Sequence, residues 1–254
     1  MSETKIALVT GGSRGLGKDM ALSLAKKGLD LILTYRSKEP EARAVVEEIK
    51  GMGRKAVHLQ LDMNNDVASL DAFVQTIAIE LKTGWERKNL DFLIHNAGIG
   101  GGVPFEQVTE GFFDEFLNVH FKNIYFLTQK LLPYLADGGG IINISSGTTR
   151  FANPGYSVYA PMKGAVEVLT KYWAKELGPK GIRCNVVAPG PIETDFNNAA
   201  IRSNPQMKER LAGLSPLGRV GAAEDIGGVV AFLCTDEARW INGQRIEVSG
   251  GINV

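Results

Sequence analysis

Ile6-Ala7-Leu8-Val9-Thr10-Gly11-Gly12-Ser13-Arg14-Gly15-Leu16-Gly17 runs from four apolar residues straight into a glycine-rich turn. A short apolar run closed by glycine reads as a buried strand. Beyond the turn, Met20, Ala21 and Leu24 share one face of a helix that stops near Gly28. Glycines at such a junction let the backbone come close to a pyrophosphate. The helix that follows presents its unpaired N–H groups and the positive end of its dipole. The spacing is not G-x-G-x-x-G, yet the same physics applies; a tight turn without a ligand is the alternative.

Working outward, the same rhythm recurs to the end of the chain. Leu31–Leu33, Phe92–Ile94, Ile141–Ile144, Cys184–Ala188 and Ile246–Val248 are further apolar runs, and Val57, Leu59 and Leu61 alternate. Pro40 suits the first turn of a helix whose Val45, Val46 and Ile49 form a stripe before Gly51. Strands apolar throughout and separated by helices predict an α/β fold, a parallel sheet covered on both faces. No linker, repeat or low-complexity tract divides residues 1–254, so one domain is expected. About residues 191–216 the chain is polar and reads as irregular, the expected place of a substrate lid.

The chain balances 28 Lys and Arg against 28 Asp and Glu. A nucleic-acid or membrane-surface binder needs a basic excess, so neither partner is expected. No apolar run approaches the roughly 20 residues of a membrane span. Met1 to Lys5 is short and polar, which predicts no signal peptide. Cys184 and Cys234 lack any paired or metal-ligand spacing, as expected of two reduced core thiols in a cytoplasmic protein.

Ligands on such sheets sit beyond the carboxyl ends of the strands, so the residues after each strand carry the chemistry. After the fourth strand stand His95-Asn96-Ala97-Gly98, and after the fifth come Ser145 and Ser146, then Tyr159-Ala160-Pro161-Met162-Lys163. Tyr159 and Lys163 are four apart and share a helix face. After the sixth strand stand Pro189-Gly190-Pro191-Ile192-Glu193-Thr194. In order and spacing these residues resemble the short-chain dehydrogenase/reductase family in its one-domain branch, in the manner of 3-oxoacyl reductases and glucose dehydrogenases. The resemblance covers the chain from Lys5 onward: the T-G-x-x-x-G-x-G turn is Thr10–Gly17, the N-A-G turn is Asn96–Gly98, and Tyr159 and Lys163 form the Y-x-x-x-K pair. The family serine lies thirteen before the tyrosine, which selects Ser146 over Ser145. Tyr156 is rejected because Ala160 stands where lysine is needed.

The resemblance implies a three-layer Rossmann fold with a doubly wound, seven-stranded parallel sheet, and hydride transfer between a nicotinamide and a carbonyl or secondary alcohol. Tyr159 would exchange a proton with the substrate oxygen, Ser146 would hydrogen-bond that oxygen, and Lys163 would hold the nicotinamide ribose. A free tyrosine titrates near pH 10; the Lys163 ammonium and the nicotinamide charge are expected to lower it. The implied cofactor contacts are Gly11, Ser13, Arg14, Gly15 and Leu16 in the turn; Tyr35, Arg36, Ser37, Asp62 and Met63 at the adenosine end; and Asn96, Ala97, Gly98, Tyr159, Lys163, Pro189, Gly190, Ile192 and Thr194 towards the nicotinamide. NAD-specific members carry an acid at the end of the second strand. Here that position is Tyr35, followed by Arg36, with Arg14 in the turn. Two guanidiniums fit a 2′-phosphate, so NADP(H) is expected. No metal is expected. A non-catalytic nucleotide sensor on the same fold is the alternative, but such a protein is expected to lack the Tyr159–Lys163 pair.

Four positions depart from the family pattern. His120 replaces the asparagine of a V-N-x-x-G stretch, and Asn123 its glycine. His120 is therefore expected to take over the asparagine's task of holding a water that feeds protons to Lys163. His95 stands at the first asparagine of N-N-A-G; it and His58 are expected to be packing residues. Pro161 is tolerable only if its helix starts within a residue or two of Tyr159. Val248-Ser249-Gly250-Gly251 closes what reads as the penultimate strand, where an aspartate is common. Phe112, Phe113, Phe116, Tyr125, Phe126, Tyr172 and Trp173 spread around two helices near 112–135 and 159–177. Relatives use these helices for a two-fold interface, so a homodimer or homotetramer is expected.

Overall fold

Both faces of the first strand are buried, which is why it carries no polar residue. In the computed structural model, which describes residues 4–253, Ile6–Val9 forms β1. Ala7 and Val9 face one hydrophobic cluster, and Ile6 and Leu8 the other. The remaining strands are β2 (Asp30–Tyr35), β3 (Ala56–Gln60), β4 (Leu90–His95), β5 (Leu135–Ile144), β6 (Arg183–Pro189) and β7 (Arg245–Val248). All pair in parallel in the order β3-β2-β1-β4-β5-β6-β7. The strand ending at Val248, expected as penultimate, is the last of the seven.

Helices fill both outer layers. On one face α1 (Gly15–Lys26), α2 (Glu39–Gly51) and α9 (Glu224–Leu233) bury Met20, Leu24, Val45, Ile49, Ile226 and Val230. On the other, α3 (Ser69–Trp85), α5 (Asn123–Leu131) and α6 (Tyr159–Glu176) bury Leu70, Ile77, Ile124, Leu127, Val166 and Trp173. Because α6 begins at Tyr159, Pro161 falls in its first turn, where a missing N–H costs nothing.

The stretch expected as one helix from Phe112 is broken in a way that bears on the site. α4 (Glu110–Leu117) passes into a π-helical turn, Asn118–Lys122, before α5. His120 sits at the middle of this wide turn; such turns recur at functional sites. Residues 191–216 are not irregular as expected. They form α7 (Phe196–Ser203) and α8 (Pro205–Gly213), whose start is capped by Asn204 accepting from the Met207 amide at 2.9 Å. Within α7, Asn197, Asn198 and Ala199 take left-handed backbone angles.

Among the described residues no helix is long and apolar enough to cross a membrane, and no cluster of His, Cys, Asp and Glu could hold a metal. Cys184 and Cys234 are buried free thiols, and burial pushes Cys184 up to about 12. The signal-peptide expectation rests largely on residues 1–3, outside the described residues.

Candidate active site

The sheet order reverses between β1 and β4, so the loops after these strands flank one crevice at their carboxyl ends. Thr10 stitches the two loops together. Its hydroxyl accepts from the amides of Asn96 and Ala97 at 3.0 Å each. The Asn96 side chain donates in return to the carbonyls of Thr10 (2.9 Å) and Gly11 (3.0 Å). A Cβ on Gly17 would run into the Gly11 carbonyl and the Asn96 amide, and Gly15 has φ +53°. The turn is therefore a cradle that only glycine permits, opening onto the amides at the start of α1. Thr194 lies over it, 3.6 Å from where a Gly15 Cβ would be. Ser13 is half-buried, Arg14 exposed, and Leu16 packs on the core beside Ile192. Pro189 ends β6, and Gly190 donates to the Val248 carbonyl at 3.0 Å.

At the far end of this crevice β2 and β3 deliver Tyr35, Arg36, Ser37, Asp62 and Met63. Arg36 Nε donates to Asp62 Oδ2 at 3.0 Å, and the Asn64 amide donates to Asp62 Oδ1 at 2.9 Å. Sequence reasoning gave these two side chains separate tasks; the fold pairs them, so Arg36 is steered by an acid whose own charge it offsets. Ser37 is exposed and Met63 buried, its carbonyl held by Asn123 Nδ2 at 2.8 Å.

Beyond β5 the structure brings together Ser146, Tyr159, Lys163 and His120. The Ser146 hydroxyl accepts from the Thr148 amide at 3.2 Å and from the Thr148 hydroxyl at 3.0 Å, and its polarity lowers the pKa of the Tyr159 phenol. Ser145 is turned away, donating to Glu167 Oε1 at 2.6 Å, so the fold separates the two serines that sit side by side in the chain. Lys163 is 4% exposed, with Nζ donating to the Ile144 carbonyl at 2.8 Å and lying 5.7 Å from the Tyr159 ring centre. Burial pulls its ammonium down to about 8. Tyr159 departs from expectation: burial pushes the phenol up to about 12, and the Ser146 hydrogen bond offsets only part of that. Removal from water outweighs the other influences on this ring.

His120 is fully buried and meets the Tyr159 ring edge-on, with centroids 5.1 Å apart. Its Nε2 lies 2.9 Å from the Ile99 carbonyl, the distance of a donated hydrogen bond, while Nδ1 is buried without a partner. Burial first, then the Lys163 charge, holds its pKa well below 6.5, so the ring is neutral. One ring nitrogen is thus already committed to the loop after Asn96–Gly98, which leaves only the Nδ1 lone pair for a water. His95 instead packs in the core, with Nε2 2.7 Å from Thr128 Oγ1 and a pKa near 3, through burial and then Lys163. His58 lies edge-on to Tyr35 at 5.6 Å.

The sequence placed a lid at residues 191–216 but did not disclose which of its residues cover this cluster. Phe196 stands 6.4 Å from the Tyr159 ring, and Asn197 Nδ2 donates to the Tyr156 hydroxyl at 3.0 Å. Nor did it disclose the carbonyls of Ile99 and Ile144 as partners, since a backbone oxygen has no residue-type signature. Thr10 was readable, as a hydroxyl at the mouth of a glycine turn.

Residues 11–253 match the family described as enoyl-(acyl carrier protein) reductase. An uncharacterised oxidoreductase of Methylorubrum extorquens is 38% identical, covering 98% of each chain. The 3-oxoacyl-[acyl-carrier-protein] reductase FabG of Staphylococcus aureus is 36% identical, covering 99% of each. Among solved structures, an angucycline C-6 ketoreductase with bound NADP superposes with a TM-score of 0.92 at 36% identity, covering 97% of this chain and 95% of that one. The chain belongs to the short-chain dehydrogenase/reductase family, and it is an oxidoreductase acting between carbonyl and alcohol.

Proposed function

We propose that this protein is an NADP(H)-dependent ketone or aldehyde reductase in which Tyr159 is the proton donor, Ser146 and Lys163 complete the site, and Gly11–Leu16 cradle the cofactor's pyrophosphate. The observation that carries this is the buried Lys163 ammonium, whose Nζ lies 5.7 Å from the Tyr159 ring centre at the end of β5, where Ser146 also stands. The cradle fits the group, because glycine at 17 lets α1 close on the turn without striking the Gly11 carbonyl and Asn96, and at Gly15 only Thr194 stands within 4 Å of a Cβ position. Ser13 and Arg14 line the same turn. Tyr35, Arg36, Ser37, Asp62 and Met63 take the adenosine end, with Arg36 and Arg14 for the 2′-phosphate. Asn96, Ala97, Gly98, Pro189, Gly190, Ile192 and Thr194 wall the nicotinamide end. The cofactor, when bound, supplies or accepts the hydride.

The chain's own residues do the rest. Ser146 holds the substrate oxygen against the phenol, which fixes the reacting carbon. Tyr159 gives up its proton to that oxygen during reduction, and the Lys163 ammonium stabilises the phenolate left behind. His120, neutral, accepts from a water through Nδ1 on the path that returns a proton to Lys163. Lys163 also holds the ribose hydroxyls. Phe196 and Asn197 close the lid of residues 191–216 over the site and exclude water.

A homodimer or homotetramer fits the large side chains left outside. Phe113, Tyr125, Val168 and Tyr172 of α4, α5 and α6 are 42%, 39%, 53% and 63% exposed, where Phe116 and Trp173 are buried. A single domain over residues 1–254 in the cytoplasm completes the proposal, in keeping with two unpaired buried thiols. The test is a panel of ketones, aldehydes and 3-oxoacyl thioesters with NADPH and with NADH, followed at 340 nm. Turnover of any of them with NADPH, lost in Tyr159→Phe, is expected; turnover surviving in that variant would sink the assignment.

A further inference from the structure

Behind Ser146, on the side away from the crevice, lies a polar cluster that the chemistry above does not use. Glu167 projects from α6, two turns beyond Tyr159, and Arg245 from β7. Both side chains are largely shielded, at 16% and 19% exposure, and Nε of Arg245 donates to Glu167 Oε1 at 2.8 Å. That one oxygen also accepts from the Ser145 hydroxyl at 2.6 Å and has the Thr149 hydroxyl at 2.8 Å. The other arm of Arg245 reaches the Ser146 carbonyl at 3.3 Å and Thr149 Oγ1 at 3.2 Å. Arg245 also donates to Glu247, which Arg150 grips from outside. Burial by itself would weaken the Arg245 charge, but the hydrogen bonds to Glu167 and Glu247 outweigh it and hold the guanidinium firmly protonated.

The geometry has a direct consequence for the turn it grips. Ser145, Ser146 and Thr149 form the loop that leaves β5, and the two ends of that loop are tied to one carboxylate oxygen and one guanidinium. The Ser146 hydroxyl is not part of this cluster; it accepts from the Thr148 amide at 3.2 Å and hydroxyl at 3.0 Å, and lowers the pKa of the Tyr159 phenol. Adjacent side chains on extended backbone point to opposite sides, and the Ser145 amide donates to the Val187 carbonyl at 2.8 Å. The Glu167 oxygen takes Ser145, and what remains to the crevice is Ser146.

We propose that Glu167 and Arg245 are positioning residues for the reduction, a clamp that turns Ser145 inward and so aims the Ser146 hydroxyl at Tyr159 and the substrate oxygen. The proposal rests on the reading of Ser146 and Tyr159 given above. It assigns a catalytic consequence to an ion pair joining the middle of α6 to the last strand, 78 positions apart. Charge-assisted hydrogen bonds of this length in a shielded setting hold geometry tightly, and a small misplacement of a substrate-orienting group is costly in rate.

The test uses full-length Glu167→Gln, Arg245→Met, Ser146→Ala and Ser146→Ala/Glu167→Gln proteins. The probe is ethyl acetoacetate or the best ketone of the panel, with the reverse reaction followed from pH 6 to 10. Glu167→Gln and Arg245→Met are expected to lose about tenfold in kcat, or 1.4 kcal/mol, with NADPH affinity by fluorescence titration unchanged. In the reverse reaction the positive nicotinamide of bound NADP+ favours the phenolate and brings the Tyr159 limb down; Ser146 favours it too, so its displacement should move that limb to higher pH, as in Ser146→Ala. In the Ser146→Ala background, Glu167→Gln should then cost less than about twofold, because its effect passes through Ser146. Crystal structures of Glu167→Gln and Arg245→Met should show the Ser146 hydroxyl moved from its parental place beside the Thr148 amide and hydroxyl. Parental kcat in Glu167→Gln, a full tenfold loss on top of Ser146→Ala, an unmoved pH limb, or a Ser146 hydroxyl that keeps its parental place would each overturn the clamp. Parental turnover in Ser146→Ala itself would overturn the catalytic reading beneath it, so the two failures are told apart.

Discussion

Replacing Lys163 with methionine should make the protein more stable and nearly inactive. The ammonium is buried, with its donated bond to the Ile144 carbonyl, and burial lowers its pKa from 10.5 to about 8. The folded state therefore holds this proton less tightly than the unfolded chain does. Below pH 8 both states are protonated and the full cost of burying the charge is present, about 3 kcal/mol at 1.36 kcal/mol per tenfold change in proton affinity. As pH rises from about 8 towards 10.5 the folded state sheds the proton first and the cost fades, to roughly half by pH 9.5. Methionine keeps the apolar stem and volume but forfeits the bond to Ile144, worth about 1 kcal/mol. The expected net gain is about 2 kcal/mol at pH 7, shrinking below about 1 kcal/mol at pH 9.5. Urea unfolding followed by circular dichroism measures it, at matched protein concentration because assembly shifts apparent stability. A variant less stable than the parent at pH 7, or a gap that does not narrow by pH 9.5, would refute the reasoning. The fold would then be bearing no penalty for its ammonium.

Tyr159→Phe should reduce turnover by about a hundredfold or more while NADPH affinity, by fluorescence titration, holds. Arg14→Ala with Arg36→Ala should cut the NADPH-over-NADH ratio of kcat/KM by at least about tenfold, since each guanidinium supplies charge-assisted bonds to a 2′-phosphate; an unchanged ratio would place the phosphate site elsewhere. His120→Asn should keep most activity, whereas His120→Leu, without any hydrogen-bonding atom, should lose about tenfold or more in kcat. A leucine variant matching the parent from pH 6 to 9 would end the proton-relay role. Solution scattering at micromolar concentration should return a dimer or tetramer mass, and Tyr125→Glu with Tyr172→Glu should lower it; a monomeric parent would refute the interface.

What the sequence determined by itself is what local rules govern. Apolar runs such as Ile6–Val9 read as strands buried on both faces, the glycine turn before Leu16 as close-approach backbone with a bare tight turn as the alternative, and a spacing of four put Tyr159 and Lys163 on one helix face. These follow from the periods of strand and helix and from the freedom of a residue without Cβ, all contained within a few positions of chain. The tertiary structure alone decided that Arg36 would meet Asp62, that residues 191–216 would coil into two helices over Tyr156 and Tyr159, and that the nitrogen of His120 would be spent on Ile99. It also set the protonation balance against expectation: Tyr159 is raised by burial more than its neighbours lower it. Desolvation depends on every residue that excludes water from a point. Ser145 and Arg245, partners of Glu167, come from the loop after β5 and from β7, 22 and 78 positions away. Neither can be read from a local period, because each exists only once the sheet has brought distant segments side by side.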